Sequence, residues 1–356
     1  MQLTTPEKDL RIETIRGLAL LLMVAGHVIG DVATTGMEVA DDSFLRYLYN
    51  SLVYVRMPLF TAISGYVYAL RPVTRDSALG RFYQGKLRRI VLPLVVVSTL
   101  FFVAQMVAPG ANASPEWIDM FPIYVFGYAH FWFLQAIFCI FLIVSLLDKL
   151  GGLNSAPKAL IAIALSVVAS LGYDAFPKLF SFDRAVGLLP FFLLGLSIYR
   201  FWDQITSRAI QTTLLATLVI TVGLDQAYLW NQTDFSSFDI SVVGTALGLS
   251  AIYLLIVHRF YFKPLAWLGR YAFEIYLLHV FGTAGTRILL GKLNVNDDWI
   301  VFSACLLVGL ALPVAVKRVT QHVAIADLLI FGTRRTQRRP KAQSSAAFKT
   351  SRAGSR

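Results

Sequence analysis

The chain has 356 residues, 56% of them hydrophobic and only 15% charged, with a formal net charge of +11. An ordinary soluble domain is about a quarter charged, and a chain of this length has too little interior to hide such a composition, so a soluble fold is excluded. Long polar–apolar alternation is missing, which excludes an outer-membrane barrel, and no CxxC, HExxH or Walker-type loop offers a metal or nucleotide-hydrolysis site.

Apolar runs of about twenty residues, the length that crosses a bilayer as helix, recur along the chain. They predict an all-α, polytopic transmembrane bundle of about ten helices near 13–33, 49–70, 88–108, 128–148, 157–173, 184–201, 209–229, 239–258, 267–290 and 299–320. The first run has charges mixed into it and no small-residue cleavage pattern, so it reads as a retained helix. Pro109, Gly110, Pro115 and Pro122 argue against one long helix ahead of the fourth span, and an amphipathic or re-entrant piece is expected there. Cys139 and Cys305 fall in apolar spans, where small buried hydrophobes are expected rather than ligands or a disulfide.

With the N-terminus inside, 26 of the 32 Lys and Arg residues lie in cytoplasmic segments, and the reverse orientation would violate the positive-inside rule. Both termini are therefore expected in the cytoplasm. Residues 1–330 read as one membrane domain and 331–356 as a basic, disordered cytoplasmic tail. The tail reads as a topology determinant; anionic lipid is a weaker alternative, and nucleic-acid binding has no domain to support it.

The informative residues begin in RIETIRGLALLLMVAGHV, Arg11 to Val28. Arg16 and His27 are eleven positions apart, about 16 Å of helical rise and nearly three turns, so they share a face at different depths. An ionisable group inside the membrane is costly unless it faces protein or water. His27 could take a proton from a hydroxyl, or could hydrogen-bond two helices together. Arg16 could serve the same site, or could be an anchor that snorkels to headgroups. Arg56 and Arg287 fall within spans and carry the same two readings, cavity lining or snorkelling.

The opening segment resembles the membrane-bound acyltransferase family 3, whose signature in the first helix is Arg, ten residues, then His. Arg16 and His27 match it, and Glu13 stands where an acidic residue precedes the family arginine. MPLFTAISGYVYALR, from Met57, resembles the family segment in the second helix through Ser64 and Gly65, a small pair that also suits helix packing. RFYQGKLRRIVLP, from Arg81, resembles the basic motif before the third helix. Lys86 and Arg89 take the places of its spaced basic pair, though Lys at the first position departs from the stricter Arg form. HFWFLQAIF, from His130, resembles the Trp-Phe-Leu segment; Trp132 and Gln135 could line a cavity, Trp132 could instead be an interfacial anchor, and His130 is expected near the outer surface. LAWLGRYAFEIYLLHV, from Leu265, resembles the Tyr-Leu-x-His pattern. It places Glu274 and His279 inside a span, Glu274 either in the cavity or in a salt bridge with Arg270 or with a basic residue of another helix, and His279 at a depth like that of His27, as a site residue or as a packing hydrogen bond.

The resemblance implies transfer of an acyl group, commonly acetyl, from cytoplasmic acyl-CoA to a hydroxyl of an envelope or exported carbohydrate. It implies a multi-pass protein of the bacterial inner membrane with no permanently bound cofactor and no nucleic-acid partner. His27 would be the general base for direct transfer, or would carry the acyl group covalently partway across; Arg16 would position the donor or set the electrostatics, and Lys86 and Arg89 would hold acyl-CoA phosphates or serve as positive-inside anchors. Glu13, Arg56, Ser64, Gly65, Trp132, Gln135, Glu274 and His279 are candidates for lining the cavity or contacting the acceptor. A transporter or flippase of a small solute or lipid-linked sugar is the reading from another class, because it would use the same intramembrane charges.

Overall fold

The computed structural model describes residues 9–74 and 77–334, so the tail expectation from residue 335 onward lies outside the described residues. Asp9 opens the first helix, its carboxylate accepting from the Arg11 N–H at 2.9 Å. The chain then runs through α1 (Leu10–Ile29), α2 (Phe44–Ser51), α3 (Val53–Leu70), α4 (Leu79–Lys86) and α5 (Leu92–Val107). Next come α6 (Pro122–Val125), α7 (Trp132–Lys149), α8 (Ala156–Leu171), α9 (Phe182–Arg200), α10 (Trp202–Ile205) and α11 (Arg208–Leu229). The last are α12 (Ser237–Val257), α13 (Lys263–Gly269), α14 (Ala272–Lys292), α15 (Asp298–Thr320) and α16 (Ala324–Phe331).

A helix occupies each of the ten predicted segments. Among the described residues, seven helical stretches are long and apolar enough to cross a membrane: 10–29, 79–107, 117–149, 179–200, 208–229, 237–257 and 298–320. The other three are α3 and α14, which carry Arg56 and Glu274 within their length, and α8, which has 16 residues. Large apolar side chains such as Leu165 and Val168 on α8, Val219 and Ile220 on α11 and Leu307 on α15 point outward, which suits hydrocarbon and not water.

Boundaries moved where local chemistry outweighed hydropathy. The span expected at 267–290 is broken after Gly269 into α13 and α14. Gly269 packs so tightly on α1 that a Cβ there would lie 2.1 Å from the Glu13 carbonyl oxygen, and Gly17 returns the contact at 1.9 Å from the Leu265 oxygen. Between α4 and α5, Leu87–Val91 forms a π-helical turn that joins them into one continuous rod. Pro93 explains it: the ring has no N–H for the Arg89 carbonyl, so the turn before it widens. The segment before α7 is indeed irregular, with a 3-10 turn at Trp117–Met120 and the short α6.

α1 is the axis of the bundle and packs against α3, α13, α14 and α15, while α3 packs on α9 and α12. At the α3–α9 crossing a Cβ on Gly65 would lie 2.0 Å from the Phe192 oxygen, and one on Gly195 would lie 1.8 Å from the Ala62 oxygen. Gly65 therefore faces a neighbouring helix, not a cavity.

Candidate active site

Three histidines meet inside the bundle: His27 from the last turn of α1, His279 from α14, and His130 from a 3-10 turn at Ala129–Phe131 just ahead of α7. Ring centroids are 4.9 Å apart for His27 and His279, 4.9 Å for His130 and His279, and 6.0 Å for His27 and His130. His27 ends its own helix, yet α14 continues thirteen residues past His279, so the cluster sits in the interior and not at an outer face. His130 is 3% exposed, which corrects its expected surface position. Phe101, Phe131 and Tyr276 wall the cluster, and the Tyr276 hydroxyl donates to the His130 carbonyl.

Backbone carbonyls fix the tautomers, because a carbonyl can only accept. His27 Nδ1 donates to the Met23 oxygen at 2.9 Å. His279 Nδ1 donates to the Ile275 and Tyr276 oxygens at 3.0 and 2.9 Å, and His130 Nε2 points to the Leu277 oxygen at 3.4 Å. The remaining nitrogens, His27 Nε2, His279 Nε2 and His130 Nδ1, then carry lone pairs. Those of His279 and His130 are buried without a partner. His27 is the one histidine of the three that is only half-buried, so its free nitrogen is the accessible one. Such an array is short of donors and suits a hydroxyl.

Arg56 is 8% exposed, with its guanidinium 3.9 Å from the Tyr49 ring centroid. It lies against Gly26, the residue before His27. Neither Gly26 nor Tyr49 stood out in the sequence, because a close approach leaves no mark in hydropathy. Above the cluster the loop after α1 is tied down by Arg46, which is 2% exposed and donates to the Gly30 and Val39 carbonyls. In that loop the Thr35 hydroxyl donates to Asp31 at 2.7 Å and holds its carboxyl below the usual carboxylate range.

The other expected site residues are elsewhere. Arg16 Nη1 contacts both carboxylate oxygens of Glu13 at 2.9 Å, at the far end of α1 and about 16 Å of rise from His27. At that same end Lys86 Nζ lies 3.1 Å from the centroid of Phe141 and 5.2 Å from that of Phe82, while Arg89 is exposed. Ser64 turns its hydroxyl to the Phe60 carbonyl at 3.0 Å, and Trp132 stacks under Arg184 at 4.8 Å.

Three candidates are engaged in structure. Gln135 donates to the Tyr124 and Phe126 carbonyls at 3.3 and 3.1 Å and accepts from Ser181 at 2.7 Å. Glu274 lies 3.8 Å from Lys317, which also meets Asp327 at 2.5 Å, so it pairs with another helix and not with Arg270. Arg287 pairs with Glu38 at 3.2 Å and donates to the Gly110 carbonyl at 2.7 Å, outside the cluster. Among the described residues no group of three His, Cys, Asp or Glu side chains is placed to hold a metal ion.

These features define a multi-pass membrane protein with a buried, histidine-centred polar site. A family model described as an acyltransferase domain matches residues 9–318, and the chain belongs to that family, acyltransferase family 3. That is the family whose pattern the first helix resembled. Over 181 residues it is 26% identical to nodulation protein NolL of Mesorhizobium japonicum, an alignment covering 48% of this chain and 46% of that protein. The match thus spans less than half of that curated relative. No solved structure matches the chain.

Proposed function

We propose that the protein transfers an acyl group, acetyl first among the small acyl groups, from cytoplasmic acyl-CoA to a hydroxyl of an envelope or exported carbohydrate, within a bacterial inner membrane. The observation that carries this reading is the free His27 Nε2 at the accessible edge of a buried cage whose other lone pairs are unpartnered. A general base must reach the proton it removes, and a hydroxyl is the donor this cage lacks.

In the reaction, the acceptor oxygen attacks the thioester carbon while its proton passes to His27 Nε2. The C–S bond then breaks, and the departing CoA thiolate takes the proton from the imidazolium. Lys86 and Arg89 hold the phosphate-rich part of the donor at the end of the bundle where Arg16 pairs with Glu13. Arg16 acts there on donor position and electrostatics, about 16 Å from the histidine.

Mass spectrometry of envelope glycans from cells with the intact gene, a deletion and a His27→Ala complement tests the reading. One acyl mass increment should vanish in both altered strains and return with the intact protein. In purified protein, His27→Ala should slow transfer about 100- to 10,000-fold, the range of a positioned base; unchanged turnover would sink the assignment.

A further inference from the structure

Arg56 is a strong cation inside the bundle that no anionic side chain among the described residues answers. Arg56 is 8% exposed, and burying a guanidinium is costly unless hydrogen bonds or an opposite charge compensate. Among the described residues no carboxylate comes within salt-bridge distance of it, and its Nε has no hydrogen-bond partner. Snorkelling does not account for a side chain so enclosed. The Tyr49 face at 3.9 Å offsets part of the charge, but a ring face accepts none of the in-plane N–H groups.

The fold makes room for this arrangement. A Cβ on Gly26 would lie 1.7 Å from Arg56 Nη1 and 2.9 Å from Cζ, so the absence of a side chain at that position lets the guanidinium rest against α1 beside His27. Donors without acceptors on Arg56 thus lie against the turn of α1 that carries His27. A hydroxyl attacking a thioester supplies both missing partners: a proton for the histidine and a negative oxygen for the arginine.

We propose that Arg56 stabilises the oxyanion that forms on the acyl carbonyl oxygen in the tetrahedral intermediate; this rests on the acyl-CoA reading above. As the acceptor oxygen bonds to the carbonyl carbon, the C=O π pair moves onto oxygen and meets the guanidinium N–H groups. When the C–S bond breaks, the pair returns to re-form the carbonyl and the thiolate leaves. Arg56 keeps its protons throughout. Donors placed for a developing oxyanion act only in the transition state, so their loss lowers kcat and leaves ground-state binding alone.

The test uses the purified full chain in nanodiscs with acetyl-CoA, measuring turnover and, separately, acetyl-CoA binding by calorimetry. Arg56→Met should reduce kcat about 100- to 1000-fold, the scale of one oxyanion donor, with the acetyl-CoA Kd unchanged and Arg56→Lys recovering part of the rate. Gly26→Ala retains every charge but displaces the guanidinium, and should lower kcat at least tenfold, again at constant Kd. It also keeps the question decidable if Arg56→Met is not monodisperse. Retention of kcat within threefold in Arg56→Met or Gly26→Ala would overturn the proposal, as would a loss seen only in acetyl-CoA Kd or acceptor KM. Wild-type protein that neither binds nor consumes acetyl-CoA would instead remove the donor reading on which the proposal stands.

Discussion

At the scale of single residues, polar side chains in this bundle divide into those with every bond made and those left wanting. Gln135 belongs to the first group, with both amide protons given to carbonyls and its oxygen bonded to Ser181. Gln135→Ala should lower the thermal stability of the purified protein, because it strands buried groups that each cost about 1–3 kcal/mol when unsatisfied. Differential scanning fluorimetry in detergent measures this, and an unchanged midpoint would return Gln135 to the cavity. The histidines and Arg56 belong to the second group. His27 and His279 were legible because each stands in a motif at a countable helical depth. His130 was not, because only the 3-10 turn and the Tyr276 hydroxyl on its carbonyl carry it inward from what reads as an outer loop.

At the scale of elements, glycine shows how context decides a residue's meaning. Gly65 and Gly195 bring α3 and α9 together through backbone atoms, whereas Gly223 in α11 has nothing within 4 Å of where a Cβ would stand. Gly65→Ala should therefore push two backbones apart and cut both folded yield and activity, since neither contact atom belongs to a side chain that can swing away. Gly223→Ala should be tolerated and can stabilise α11 by up to about 1 kcal/mol, the helix-propensity difference. Size-exclusion profiles and melting curves of the two variants provide the comparison; equal behaviour would mean the α3–α9 contact is dispensable.

Hydropathy located these elements and missed their joints. It merged α13 with α14 because the Gly269 contact that breaks them depends on α1. It began the third span at residue 88 because nothing in composition distinguishes the π-turn ahead of Pro93 from ordinary helix.

At the scale of the whole molecule, the site needs two differently charged ends. Arg16 and Arg259 stand where α1 begins, Arg259 paired with Asp9, and the alternation of spans brings Lys86, Arg89 and Arg200 to the same end, the end to which the proposal brings acyl-CoA. The loops at the other end carry Asp31, Glu38, Asp41 and Asp42, with Arg46 and Arg287 tied to carbonyls or carboxylates there. Charge asymmetry of this kind favours the basic end inside the cell, and it makes orientation a condition of the mechanism. Cysteine scanning tests that condition. With Cys139 and Cys305 replaced by alanine, a cysteine at Asn294, between α14 and α15, should react with a membrane-impermeant maleimide in intact spheroplasts. A cysteine at Ser207, ahead of α11, should react only after lysis. The reverse pattern would put Lys86 and Arg89 outside, away from cytoplasmic acyl-CoA, and the donor route would fail even if His27 proved essential.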